Sequence, residues 1–560
     1  MAMVILIIDL KSGIIEEKEW KESYNGLRCS LALYKEFGKD ALVMSSIEAE
    51  SFTEGSISPW HIVWYSEITK KMEFCAVNYP HGYSLYKMGI SAIVIIGRAE
   101  KLKYITLSLS KREILPIENM REAESKSFEA IISPISEISI STGVAADKGV
   151  LFGTIQYRGK NFPGSGLGHA FYLHNLKAIV LPNYPIANQS SEGEKAPQKN
   201  PEKNRFFRMV KNYGEYSFIP YSLRLGWAPI KNYQKRFDPR LYSLDGRSMA
   251  EKFGNYPDGC MGCLISCSRR TKKGDSLPSW KDILLLGPNI VLFDPYNIYA
   301  LYDRCILWGL DVATVGAIIS YILYSSDEEK SKYNLDFSIT SLTSFIDRLA
   351  SGALLSKGLE DLPNAIQGFD HRPISYDLRG AFSEALLYSQ GLEMTLPATL
   401  FFPKKRVDER CSSIFALYET IYTLALLSLG HPPFLSSIIY WSKVPEVAFH
   451  VPCVARFFCR HFNAFGHKSD ELLVRGLEIY NALNLSWHSS PYYFSFCSES
   501  AFDSSTVPIK KLQDYYDEEK LHLLITVKSI KERMAKKDGV NKPKVGPLDE
   551  RGSATDPGLK

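Results

Sequence analysis

The apolar period of this chain changes once, and that change limits what it can fold into. From residue 1 to about 185 the apolar stretches are short and strand-like. Residues 4–9, 91–96, 105–109 and 178–182 are β-branched or aliphatic runs bounded by Gly, Pro or charge. Helical patterns intervene at residues 31–37 and 120–130. A polar stretch follows, Gln-Ser-Ser-Glu-Gly-Glu-Lys-Ala-Pro-Gln-Lys-Asn-Pro-Glu-Lys-Asn over residues 189–204, which has no face to bury and reads as a linker or surface loop. Beyond it, apolar residues recur at spacings of three and four over residues 295–324, 338–351, 411–429 and 469–483, the spacing of amphipathic helices. Ser338 and Thr340 can cap one of these helices and Gly352 can stop it. The pattern predicts a β-rich first part and a helical remainder, closed by a Lys/Asp/Gly/Pro-rich stretch at residues 535–560 that reads as a disordered tail.

At 560 residues and 63.3 kDa the chain is too long for one core and should divide into two to four domains. Hydrophobic residues at 45% and charged ones at 23% exclude a mainly disordered or fibrous chain. The net charge of +4 gives no electrostatic reason to expect nucleic-acid binding. The longest apolar runs, at residues 90–96, 283–293 and 421–429, fall short of the roughly 18–20 residues that a membrane span needs. A longer candidate at residues 421–441 is interrupted by Gly430-His431-Pro432-Pro433. The start, Met-Ala-Met-Val-Ile-Leu-Ile-Ile-Asp, carries neither a basic leader nor a small-residue cleavage site, so the expected location is cytoplasmic, with no membrane contact.

Ten cysteines in this length are too few for a disulfide framework. Seven are scattered and read as small buried apolar side chains. The other three, Cys260, Cys263 and Cys267, stand within eight residues as C-x2-C-x3-C. Thiolates at that spacing, with Gly259 and Gly262 to permit a tight turn, can converge on one iron–sulfur centre. Zinc is a competing metal, although no second pair of ligands at zinc spacing is present. A thioredoxin-type pair would need a βαβ context that the pattern here does not offer, and a metal-free role also stays open.

The surroundings of the triad resemble the tungsten-dependent aldehyde ferredoxin oxidoreductases, and the likeness runs in order from about residue 3 to 530. Residues 4–13, Val-Ile-Leu-Ile-Ile-Asp-Leu-Lys-Ser-Gly, look like that family's opening strand and turn. Residues 89–99, Gly-Ile-Ser-Ala-Ile-Val-Ile-Ile-Gly-Arg-Ala, look like its buried strand. Gly166-Leu-Gly168 and the following Asn-Leu-Lys-Ala-Ile-Val, which contains Lys177, look like the close of its N-terminal domain. Gly309-Leu-Asp311 is similar to its first pterin motif, D-x-x-G-L-D.

The resemblance implies an α+β architecture. A β-rich N-terminal domain would occupy residues 1–187, a linker 188–204, a helical domain with the cysteine cluster 205–400, and a second helical domain 401–534. It also implies a tungsten or molybdenum bis-pterin beside an iron–sulfur cluster. Gly166, Gly168, Lys177, Gly309, Asp311 and Gly430 are the residues it places on the cofactor side, and Cys260, Cys263 and Cys267 on a three- or four-iron cluster. His431 is the substitute for the family's fourth cysteine, with Asp258 a second candidate. It assigns no catalytic residue here, since no histidine between Met394 and Tyr418 matches the family's active-site histidine.

The chain departs from the family at the blocks that face the cofactor. The family's G-G-R-G-L-G stands here as Tyr24-Asn-Gly-Leu-Arg-Cys29, and its phosphate-side arginine falls at Trp60. Its N-S-G-G turn falls on residues 76–79, and a second arginine becomes Gly164. The leading aspartates of the two pterin motifs become Ile306 and Leu427, and the fourth cysteine becomes Pro432. The acidic P-E-Y-E stretch reads Pro278-Ser-Trp-Lys281. Each lost charged hydrogen bond costs about 1.5–3 kcal/mol, so four or five together would remove a nanomolar site. Two functions follow. One is aldehyde oxidation with electrons passed through the cluster to ferredoxin. The other is an iron–sulfur electron-transfer or partner subunit that has lost the pterin and serves an intact paralogue or a homo-oligomer.

Overall fold

The structure is a computed structural model. It describes residues 3–22, 25–46, 60–77, 80–117, 137–162, 166–184, 205–225, 228–235, 237–259, 265–362, 409–429, 440, 448, 452–464, 467–483 and 509–540. The first part runs β1 (Val4–Asp9), β2 (Ile14–Glu19), α1 (Gly26–Phe37), β3 (Leu42–Ser45), β4 (Trp60–Ser66), β5 (Lys71–Val77), α2 (His81–Lys87) and β6 (Ile90–Ile96). It continues with β7 (Lys103–Leu107), β8 (Arg112–Pro116), β9 (Glu137–Thr142), α3 (Val144–Asp147), β10 (Ile155–Tyr157), β11 (Lys160–Asn161), α4 (Leu167–Leu173) and β12 (Leu176–Pro182).

Two six-stranded mixed sheets result, in the orders β2-β1-β6-β3-β4-β5 and β11-β10-β9-β12-β7-β8. Strands β1 and β6 pair in parallel, as do β12 and β7. Alternation along β4 explains the layering. Trp60, Ile62 and Trp64 enter the core between the sheets, where Ile138, Ile140 and Ile179 meet them. Val63, with Val43 and Val94 of the neighbouring strands, points the other way and joins the larger core beneath α1 and the helices.

The helical part runs α5 (Arg205–Tyr213), α6 (Ile219–Leu225), α7 (Gly246–Phe253), the ribbon β13 (Tyr256–Asp258) and β14 (Ser268–Arg270), then α8 (Trp280–Leu286), α9 (Pro295–Trp308), α10 (Val312–Leu323), α11 (Asp327–Tyr333) and α12 (Ile339–Ala350). After these come α13 (Glu409–Ser428), α14 (Pro452–Arg460), α15 (Ser469–Leu483) and α16 (Ile509–Val540). Helix α13 is buried along most of its length and packs against α15 and α16. Gly476 lets α15 come so near that a Cβ there would lie 2.0 Å from Ile421 O.

The stretch expected to be helical at residues 295–324 is two helices. Gly309 turns left-handed (φ 69°, ψ 44°) and ends α9, and the Asp311 side chain accepts the Thr314 amide at 2.9 Å to start α10. Ser338 caps α12 and Thr340 lies inside it. The helix expected at residues 120–130, the linker and the boundary at residue 400 lie outside the described residues. Helix α16 runs to Val540, into the stretch read as a tail. Among the described residues no helix is long and apolar enough to cross a membrane.

Candidate functional site

In the sequence the cysteine triad stands between the two strands of a short ribbon. Strands β13 and β14 pair antiparallel with Asp258 opposite Ser268, and residues 259–267 connect them along the chain. Cys260 and Cys263 lie outside the described residues. Cys267 immediately precedes β14 and is partly buried.

The descending limb of the loop is fixed by three devices. The Glu215 amide donates to Cys267 O at 2.9 Å. Gly214, at φ 69°, leaves room for that approach, because a Cβ there would sit 2.7 Å from the same carbonyl. Arg269, almost wholly buried, spreads its guanidinium over five oxygens: Asn255 Oδ1 at 2.8 Å, Ser266 O at 2.6 Å, Ser268 O at 2.8 Å, Val210 O at 3.1 Å and Lys211 O at 2.9 Å. A planar fork of five N–H donors suits such a fan of oxygens, which a lysine could not span. The ribbon is thereby tied to α5, and Ser266 is held at a left-handed φ of 45°.

Charge gathers around this limb. Lys160 Nζ of β11 meets Asp258 Oδ2 at 2.5 Å, joining the second sheet to the residue two before Cys260. Asp258, one of the two substitute ligands considered above, is therefore ion-paired. Burial pushes the Glu215 carboxyl up to about 8, with repulsion from Asp282 adding to it and Lys281 opposing. Burial likewise pushes Asp282, the N3 member of the Ser279 capping box, up to about 6. A carboxyl that stays protonated at neutral pH thus stands beside the loop.

Gly309, Leu310 and Asp311 form a joint between the two parts. Gly309 O accepts the Thr154 amide at 2.7 Å, the Asp311 amide donates to Phe152 O at 2.9 Å, and Asn161 Nδ2 donates to Leu310 O at 2.6 Å. Gly166 is left-handed at the start of α4 (φ 82°), and a Cβ on Gly168 would lie 2.4 Å from Gly153 O. Lys177 is sealed in β12, its ammonium held by Asp147 Oδ2 at 2.5 Å and Thr142 O at 2.8 Å. Burial lowers its pKa against the pull of Asp147. Gly309, Asp311, Gly166 and Gly168 thus all serve close packing or capping of the chain itself. Gly430 and His431 lie outside the described residues.

Position-specific comparison settles the relationship. The sequence profile "Aldehyde ferredoxin oxidoreductase, N-terminal domain" matches residues 5–183, and "Aldehyde ferredoxin oxidoreductase, domains 2 & 3" matches residues 192–374. The chain belongs to the aldehyde ferredoxin oxidoreductase family. Among solved structures it is similar to the "Active site complex BamBC of Benzoyl Coenzyme A reductase in complex with 1,5 Dienoyl-CoA", with 13% identity over 96% of this chain and 99% of that one and a TM-score of 0.62. At that identity the likeness speaks for the oxidoreductase fold alone. No curated protein matches the sequence.

The family's pterin can be tested against the side chains that replace its contacts. Trp60 is fully buried between the sheets and stacks on His81 with centroids 4.7 Å apart and rings 8° from parallel. Ile306 is buried, and its carbonyl accepts from Gln156 Nε2. Leu427 is buried at the end of α13, and its carbonyl accepts from His61 Nε2 at 3.2 Å. At all three places apolar side chains fill space where the family offers charge, and the His61 bond draws the first sheet directly onto α13. These residues do not fit a polar bis-pterin. Among the described residues no three His, Cys, Asp or Glu side chains converge on a metal position, two of the loop cysteines lying outside them.

Two elements of this neighbourhood escaped the sequence reading. Arg269 stands two residues after the triad and carried a visible signal, a cation beside a cysteine loop. His61 carried none, because its partner is 366 residues away.

Proposed function

We propose that this protein is a pterin-free member of the aldehyde ferredoxin oxidoreductase family that carries electrons on an iron–sulfur cluster. Cys260, Cys263 and Cys267 supply its thiolates and His431 is its distant ligand. The chain works beside an intact paralogue and exchanges electrons with ferredoxin. The observation that carries this reading is the contrast between two places. The cysteine loop is anchored by Arg269 and the Glu215 amide, whereas the cofactor-side positions Trp60, Ile306 and Leu427 are packed shut. Aldehyde oxidation by this chain alone would need the charged contacts that those three positions have given up.

Metal analysis with electron paramagnetic resonance on anaerobically purified protein tests the proposal. The expected result is about three or four iron atoms per chain with a cluster signal, and neither tungsten nor molybdenum. The Cys263→Ser variant should lose the signal. Tungsten or molybdenum at about one per chain would overturn the pterin-free reading and restore aldehyde oxidation as the function. Protein that is folded and free of iron would overturn the cluster itself.

A further inference from the structure

Helix α16 carries apolar residues on two faces. Tyr516, Leu523, Val527 and Ile530 are buried on the face that packs against α13 and α15. On the outward face Leu521, Leu524 and Ile525 are 61%, 38% and 62% exposed, with Asp514, Asp517, Lys528 and Lys531 exposed on either side of them. The outward positions 514, 517, 521, 524, 528 and 531 alternate spacings of three and four, which sets them along one stripe of the helix. Taken in order the stripe is Asp-Asp-Leu-Leu-Lys-Lys, so its charge changes sign about an apolar centre.

We propose that a second copy of the chain docks on this stripe, with the two α16 helices antiparallel across a two-fold axis. Such pairing sets the positions of one helix against those of the other in reverse order. Leu521 then meets Leu524 of the second copy, Asp517 meets Lys528 and Asp514 meets Lys531, and the symmetry repeats each layer. Every charged layer joins opposite signs, and Ile525 widens the apolar centre. A parallel pair would instead set aspartate on aspartate and lysine on lysine, which opposes association. Lys531 already meets Glu478 at 2.7 Å and need not leave it, because an ammonium has three N–H donors and a carboxylate two accepting oxygens. The aspartates can likewise keep their own neighbours. A partner of one charge sign throughout would be repelled by one end of the stripe. A single seam of this length gives a small interface, under about 1,200 Å², so the dimer should dissociate on dilution.

Sedimentation velocity of the full chain over a range of concentrations tests the inference. The mass should rise from one chain towards two as the concentration increases. Leu521→Glu should hold the protein at one chain throughout. Asp517→Lys and Lys528→Glu should each weaken association by about tenfold or more, because each sets like charges together twice in the dimer. Mixed in equal amounts, these two variants should regain association, since every altered residue then faces one of opposite sign. A single chain at every concentration would overturn the proposal, whether other residues of the chain cover the stripe or water does. Association unchanged by Leu521→Glu, or a mixture that associates no more tightly than its components, would overturn it too. Circular dichroism checks the fold of each variant. Should a charge variant misfold, Leu521→Glu still decides, because residue 521 is exposed in the single chain.

Discussion

A Cβ on Gly143 would meet the Gly309 Cα at 2.5 Å, and a Cβ on Gly309 would meet the Gly143 Cα at 2.6 Å. Two glycine backbones thus touch where the turn after β9 meets the end of α9, and the bonds from Thr154, Asp311 and Asn161 lie on either side of that contact. Neither part can shift without separating them. The motif Gly309-Leu-Asp311, which the family resemblance sets against a pterin, is in this chain a joint between the sheets and the helices.

Gly309→Ala should be among the most damaging small changes in the protein. The left-handed φ of 69° costs an alanine about 1–2 kcal/mol, and forcing the two backbones apart adds about 1–3 kcal/mol. Chemical denaturation should show a loss of about 2–5 kcal/mol by the same reckoning. Gly143→Ala, at a φ of −80°, should show the second part alone. Equal losses in the two variants would mean that backbone conformation at Gly309 contributes nothing.

The buried pair Lys177–Asp147 sets up a different test. Thr142 Oγ1 also donates to Asp147 Oδ1, at 2.6 Å, so both charges are compensated inside the first part. Lys177→Met leaves a carboxylate buried without its cation and should cost about 3–5 kcal/mol. Adding Asp147→Leu should recover much of that loss, since an apolar pair removes the stranded charge. Urea denaturation of the two single variants and the double variant closes the cycle. A double variant no more stable than Lys177→Met would show that the pair is held by its surroundings rather than by charge.

Arg269→Lys should separate loop order from folding. The lysine keeps the charge and loses the fork, so most of the five bonds to Asn255, Ser266, Ser268, Val210 and Lys211 cannot form together. On the cluster reading, the variant should keep its far-ultraviolet circular dichroism and lose most of its iron. Full iron content would show that the loop holds its cysteines without the clamp.

The β-rich start and helical remainder were legible because β6 and residues 178–181 of β12 are buried on both faces, β1 is largely so, and all three read as mostly apolar runs. Strands β4 and β5 were not. Trp60, His61 and Trp64 are buried in β4, but its sequence mixes polar and aromatic residues without a clean alternation. The break at Gly309 was hidden because apolar residues continue at helical spacing through α9 and α10, while the backbone reverses at a single glycine. At the candidate site the cysteine spacing is evident in the sequence, and of the three residues the structure describes Cys267 alone. What closes the pterin layer was not evident there, because the His61–Leu427 bond and the Trp60–His81 stack join residues whose proximity only tertiary structure creates.

That His61 bond predicts how the protein responds to acid. The imidazole is fully buried on the face of the first sheet, its Nε2–H donating to Leu427 O, and burial lowers its pKa from the usual 6.5 to about 4. In the unfolded chain it takes up a proton as the pH falls through about 6.5, whereas in the folded chain it stays neutral until about 4. The unfolded state therefore binds more protons between those limits. Stability due to His61 is complete above about 6.5 and is lost as the pH falls towards 4. Between pH 7 and 5 the loss should be about 2 kcal/mol. His81, His169 and His174 are lowered by burial too, while the raised Glu215 and Asp282 act in the opposite direction, so only a difference isolates His61. His61→Gln retains an N–H donor that can reach Leu427 and does not titrate. Its stability at pH 7 should be near that of the unaltered protein, and its loss on going to pH 5 smaller by about 2 kcal/mol. Denaturant titrations of both proteins at the two pH values measure this directly. Parallel losses would show that His61 is already hydrated and protonated in the folded state, and that the sheet is not closed onto α13 by a neutral imidazole.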